Sequence, residues 1–120
     1  WSSSRIGVDI ERKDRQFQAK KLSQRFFTPN ENCEIENLTP SQAQKLVLKR
    51  WVVKEAAIKW QNGKIASNIN QWIWDNKSSF AYNKKLGHKV KVYEHSHDQW
   101  TYAIALDGDS TVYKPIICLN

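Results

Sequence analysis

The sequence has 120 residues, 40% of them hydrophobic and 26% charged, with a net charge of +7. That length fits one domain with a modest core, and six Trp argue against disorder. The composition excludes a membrane span, a signal segment and, with Gly 4 and Pro 3, a collagen-like or linker-like chain.

The chain starts at Trp1 and contains no Met, which points to a processed start or to a piece of something longer. Arg5–Glu11 alternates: Ile6, Val8 and Ile10 point one way, and Gly7, Asp9 and Glu11 the other. Period 2 with β-branched residues predicts a strand with one buried face. Arg12–Arg25 is charged, with Phe17, Leu22 and Phe26 at roughly helical spacing, and is expected to form a helix. At Thr28-Pro29-Asn30-Glu31 a cap, a first-turn proline and an acid three residues after the cap predict a short helix to about Asn37. Leu38-Thr39-Pro40-Ser41 repeats that chemistry and opens the longest periodic stretch, Ser41–Gln61, which Asn62-Gly63 ends.

Beyond Gly63 the period changes to 2. Gln71–Asp75, Ser79–Tyr82, Lys89–Tyr93, Thr101–Leu106 and Val112–Leu119 read as strands. Asn76-Lys77, Leu86-Gly87-His88, Ser96–Gln99 and Asp107-Gly108-Asp109 read as turns. A strand, then helices, then a meander predicts an α+β fold with helices packed on an antiparallel sheet, one domain over residues 1–120.

A pI near 9.5 favours an anionic partner: nucleic acid, an acidic protein, a phosphorylated small molecule or a membrane surface. Cys33 and Cys118 lack metal-ligand spacing and are expected as two unpaired buried thiols in a reducing cytosol. His95 and His97 are expected at a solvated strand end rather than on zinc.

Three acids stand where burial is costly. Asp9 and Glu11 project from one face of a strand, where like charges repel unless a cation lies between them. Glu55 lies mid-helix among Val52, Val53, Ala56, Ala57 and Ile58, with Trp51 and Lys59 on its face and Lys54 beside it. Two carboxylates on a strand and one on a helix would suit Mg²⁺, with the lysines holding phosphate. The plainer alternative is a wet sheet edge and a Glu55–Lys59 surface pair.

Three blocks carry a family resemblance. Gly7-Val8-Asp9-Ile10-Glu11, then Phe26-Phe27-Thr28-Pro29-Asn30-Glu31, then Trp51-Val52-Val53-Lys54-Glu55-Ala56-Ala57-Ile58-Lys59 stand in order. Together they resemble the 4′-phosphopantetheinyl transferases. Trp51 before Lys54-Glu55-Ala56 looks like the surfactin-synthetase-activating (group II) branch, and the likeness is to the C-terminal half of such an enzyme.

The resemblance implies Mg²⁺-dependent transfer of the phosphopantetheine arm of coenzyme A to a serine of an acyl or peptidyl carrier protein. That is the holo-[acyl-carrier-protein] synthase type of reaction, of fatty acid, polyketide or nonribosomal peptide biosynthesis, in the cytoplasm. By motif position it implies Asp9, Glu11 and Glu55 as metal ligands, with Glu55 also helping to deprotonate the serine. Lys54 and Lys59 would hold coenzyme A phosphates, Glu31 would be an acidic residue of the site, and Trp51 would pack beneath it. The basic stretch Arg12–Arg25 would suit an acidic carrier protein, and neither nucleic acid nor a membrane is implied as a partner. Group II enzymes have two similar halves, and the Ser-His motif that precedes the strand in the family is replaced here by Trp1-Ser2-Ser3-Ser4. Self-association or a partnering N-terminal half is therefore expected, or crippled activity without one. The competing expectation is a small basic module that binds RNA or an acidic protein, stacking on Trp72, Trp74, Tyr82 and Tyr93.

Overall fold

A computed structural model describes residues 5–75 and 77–108. Its elements in chain order are β1 (Ile6–Arg12), α1 (Ala19–Phe26), α2 (Pro29–Glu36), α3 (Pro40–Gln61), α4 (Ile65–Asn68), a 3-10 turn (Ile69–Gln71), β2 (Trp72–Ile73), β3 (Phe80–Asn83), β4 (His88–His97) and β5 (Trp100–Asp107). The five strands form one antiparallel sheet in the order β1-β5-β4-β3-β2. Helices pack on one face of it, as an α+β fold requires. The predicted strand Val112–Leu119, Cys118 and Asn76 lie outside the described residues.

The expected capping box at Thr28 is present, and Thr39 opens the long helix with a second one. Thr28 Oγ1 accepts from Glu31 N while Glu31 Oε1 accepts from Thr28 N, and Thr39 and Gln42 exchange the same pair of bonds. Each satisfies two helix-end donors that would otherwise lack partners. The long helix α3 ends where Asn62 turns left-handed at φ 62° and Gly63 N donates to Ile58 O.

Several boundaries differ from the sequence expectation. The helix expected from Arg12 starts only at Ala19, because Lys13 N still bonds Gln99 O in continuation of the sheet. The strand expected over Gln71–Asp75 is only Trp72–Ile73, and β4 extends past Tyr93 to His97. His95 and His97 are exposed at that end, as expected. Cys33 is exposed, which corrects the expectation of a buried thiol: it falls on the outer side of α2, away from buried Glu31 and Ile35.

The larger correction concerns β1. It alternates as expected, but its apolar side faces outward: Ile6, Val8 and Ile10 are 59%, 46% and 43% exposed. The inward side is Gly7 and Asp9, because α3 lies directly over it. A Cβ on Gly7 would come within 1.9 Å of Ala56 O and 2.5 Å of Trp60 N. The strand partners beneath the helix are equally small, Ala105 opposite Gly7 and Ala103 opposite Asp9. The core gathers Val52, Val53, Ala56, Ala57 and Trp60 of α3 against Trp72, Trp74, Ala81, Val90 and Val92. Each of the three buried indoles has an acceptor: Asp107 Oδ1 for Trp60, Gln61 Oε1 for Trp72 and Ser78 O for Trp74.

Candidate functional site

Asp9 and Glu11 are two residues apart on β1 and so share its inward face. Glu55 comes down to them from α3, one residue before the Ala56 carbonyl that rests over Gly7. Ligand oxygens of the three carboxylates lie within 4.8 Å of one another. Asp9 is 6% exposed and Glu55 9%. No other such group of His, Cys, Asp and Glu converges among the described residues.

Two cations border the trio. Lys59 Nζ donates to Asp9 Oδ1 at 3.0 Å and to Val8 O at 3.1 Å. Arg15 Nη1 donates to Glu11 Oε2 at 3.0 Å. Asp9 Oδ2 is buried and has no hydrogen-bond donor among the described residues. Burial pushes the Glu55 carboxyl up from its ordinary 4.5 to about 8, helped by a hydrogen bond to Asp9 and by the charges of Asp9 and Glu11, against Lys59. A proton on Glu55 relieves the repulsion that a cation would otherwise relieve.

An acid held protonated by the fold binds more protons folded than unfolded. Stability should therefore fall as pH rises from about 4.5 towards 8 and level off above that. Glu55→Gln is expected to flatten this slope in urea titrations at stepped pH. An unchanged slope would place the titrating group elsewhere.

A sequence profile described as the 4′-phosphopantetheinyl transferase superfamily matches residues 5–106. The chain belongs to that superfamily. A 4′-phosphopantetheinyl transferase by name from Synechocystis sp. is 35% identical over 78 residues, which is 64% of this chain. The match spans only 32% of that relative's length. In fold, the chain is similar to the holo-ACP-synthase of Plasmodium yoelii, with a TM-score of 0.60 at 20% identity, covering 88% of this chain and 97% of that one. It is equally similar to the holo-[acyl-carrier-protein] synthase of Thermotoga maritima, with a TM-score of 0.60 at 18% identity, covering 88% and 64%.

Of the residues that the transferase motifs single out, the fold brings Asp9, Glu11, Glu55 and Lys59 together. It sets Lys54 and Glu31 apart from them. Lys54 is fully buried and donates to Glu31 Oε1 at 2.8 Å, to Ile69 O at 3.4 Å and to Trp72 O. Its ammonium also sits over the Phe27 ring. Burial pulls the Lys54 ammonium down from its usual range, and the Glu31 carboxylate pulls it back up. The expected phosphate contact of Lys54 is therefore corrected to a structural ion pair: an ammonium with no solvent access cannot reach coenzyme A. Glu31 is spent on the cap of α2 and on Lys54.

Arg50 joins the same cluster and was not anticipated from the sequence. It is fully buried, donates from Nη2 to Glu34 at 2.7 Å and from Nε to Trp74 O at 3.2 Å, and has Nε 3.8 Å from Glu31 Oε2. The available signal was its position four residues before Lys54, on one helix face. Trp51 is half-buried and meets Phe26 edge-on at 5.8 Å. The stacking surface expected for a nucleic-acid module loses two members, since Trp72 and Trp74 are core residues. No helix among the described residues is long and apolar enough to cross a membrane.

The trio also passes a test of fit to Mg²⁺. Its donors are all hard carboxylate oxygens, close enough to share one small cation, and one of them is a buried atom without a donor.

Proposed function

We propose that this chain is the C-terminal half of a two-half, group II 4′-phosphopantetheinyl transferase, a single domain over residues 1–120 acting in the cytoplasm. It transfers the phosphopantetheine arm of coenzyme A to a serine of an acyl or peptidyl carrier protein. The observation that carries this reading is the convergence of Asp9, Glu11 and Glu55 beside Lys59 in a member of this superfamily.

The serine oxygen forms a bond to the pantetheine-side phosphorus, and the pyrophosphate P–O bond breaks to release 3′,5′-ADP. Such transfers depend on charge neutralisation and in-line positioning more than on a strong base. Asp9, Glu11 and Glu55 would hold Mg²⁺, which when bound neutralises pyrophosphate charge. Lys59 is exposed enough to give a phosphate oxygen the hydrogen bond it now gives Asp9. Glu55, as a carboxylate at this site, would accept the serine proton directly or through water. The exposed cations Arg12, Lys13, Arg15, Lys20, Lys21 and Arg25 attract an acidic carrier. The outward apolar face of β1 favours self-association or the partnering half.

Calorimetric titration of the chain with coenzyme A, with and without Mg²⁺, tests this together with light scattering after size exclusion. The expected result is Mg²⁺-dependent binding, lost in Asp9→Asn, by an oligomer or by the chain joined to an N-terminal half. Absence of coenzyme A binding under both conditions would overturn the reading. So would full turnover by a monomer, as far as the two-half assignment goes.

A further inference from the structure

The hairpin that joins β3 to β4 carries charge that the transferase site does not use. Lys84, Lys85 and Lys89 are exposed around its tip, and Lys91 follows on β4. No Asp or Glu stands between Ser78 and Tyr93. None of these lysines forms an ion pair among the described residues. Leu86, at the tip, is 44% exposed, and Tyr82 is 43% exposed. Tyr82 lies opposite Lys89 across the two strands, so both stand on one face.

The tip is fixed in shape and stands clear of the rest of the fold. Leu86 N donates to Asn83 Oδ1 at 3.0 Å, and Asn83, itself buried, donates from Nδ2 to Gln71 Oε1 at 3.3 Å. Gly87 turns the chain at φ +68°, with no described residue within 4 Å of a Cβ. An aliphatic side chain is thus held out in water with lysines on either side. Such a point suits a broad anionic surface that the aliphatic chain can enter, rather than a partner that must match it in shape.

The aromatic rings favour lipid over nucleic acid. Lys89 Nζ covers the Phe80 ring at 4.3 Å, and Lys91 Nζ lies over the Tyr93 ring at 5.8 Å. Those faces are not free to stack on bases, as binding of single-stranded nucleic acid requires. Leu86 neither stacks nor hydrogen-bonds, whereas an exposed tyrosine suits the layer where lipid headgroups meet water.

We propose that the β3–β4 hairpin docks this chain peripherally on a membrane surface bearing anionic phospholipids. Leu86 enters the boundary between headgroups and acyl chains, and Lys84, Lys85 and Lys89 meet the lipid phosphates. The surface is independent of the transferase reading. It shares no residue with Asp9, Glu11, Glu55 or Lys59, and two strands, β4 and β5, separate β3 from β1.

The test is co-sedimentation of the full chain with two kinds of vesicle, phosphatidylcholine alone and phosphatidylcholine with phosphatidylserine at about 2:1. Binding is expected only where phosphatidylserine is present, and it should weaken as salt is raised. Lys84→Gln/Lys85→Gln should weaken it about 30-fold, at about fivefold for each lysine near the surface. Lys20→Gln/Lys21→Gln removes the same charge from α1 and should leave binding nearly unchanged. Leu86→Ser keeps the charge and should weaken binding about tenfold, through loss of one inserted aliphatic side chain. All three variants alter exposed side chains only, so their thermal unfolding should match that of the parent chain. Equal losses in the two lysine pairs would reduce the effect to net charge and overturn the proposal. So would equal binding to both kinds of vesicle, or to neither. Tighter binding of single-stranded oligouridine than of vesicles, untouched by Leu86→Ser, would overturn it in favour of nucleic acid. Coenzyme A binding is read separately, so failure of one reading leaves the other standing.

Discussion

Gly7→Ala is expected to cost about 3 kcal/mol or more in urea unfolding, near the upper end of what overpacking costs. The new methyl would stand 1.9 Å from Ala56 O and 2.5 Å from Trp60 N, and both are backbone atoms that no rotamer change can move aside. Either α3 lifts off the sheet or β1 shifts beneath it. A displacement of only about 1 Å would spoil a site that depends on positioning, so metal binding at Asp9, Glu11 and Glu55 should fail in the same variant. Gly87→Ala supplies the contrast. No described residue comes within 4 Å of a Cβ there, but φ is +68°. Its cost should be about 1 kcal/mol, the penalty for a left-handed residue with a side chain. Equal losses at the two glycines would mean that α3 does not rest on β1 at Gly7.

Lys54→Met is expected to cost about 3 kcal/mol, because it removes the ammonium that hydrogen-bonds the buried Glu31 carboxylate and leaves it only the more distant Arg50 guanidinium, with Nε at 3.8 Å. Among the described residues, Glu31 Oε2 is already without a hydrogen-bond donor, and Oε1 would keep only Thr28. The Trp72 carbonyl would also lose its donor. Lys54→Met/Glu31→Gln should recover a substantial part of the loss. A glutamine oxygen still accepts from Thr28 N, and the buried negative charge is gone. A double-mutant cycle on thermal unfolding reads the coupling directly. Additive losses would show that the ion pair contributes nothing beyond the two side chains taken singly.

These two positions also show what the sequence could and could not disclose. The carboxylate trio was legible because two simple periodicities set it: two residues on a strand share a face, and an acid inside an aliphatic helical run stands out. Lys54 was misplaced because adjacency in sequence is not adjacency on a helix. Consecutive residues are rotated by about 100°, so Glu55 turns to β1 while Lys54 turns into the core. For β1 the alternation was visible but not its polarity. Which side is buried depends on how closely α3 approaches, and a glycine with two acids gave no apolar signal for it. Trp72 and Trp74 looked like surface aromatics beside polar neighbours, yet both pack into the core with Val52, Val53, Ala56 and Trp60 of α3. The capping box of Thr28 and Glu31 was legible in full, because its bonds are local; at Thr39 the helix start was legible, but not Gln42 as the partner of the cap.

The close seat of α3 on β1 has a consequence for how the domain opens. Asp9 and Glu55 come from segments far apart in the chain, and the helix between Val52 and Ile58 is buried on nearly every side. Its amide protons have no local route to solvent, so their exchange follows opening of the whole domain, whereas the four-residue α4, with no buried residue, can fray alone. A ligand held at Glu55 is therefore expected to slow exchange along the buried stretch of α3 from Val52 to Ile58.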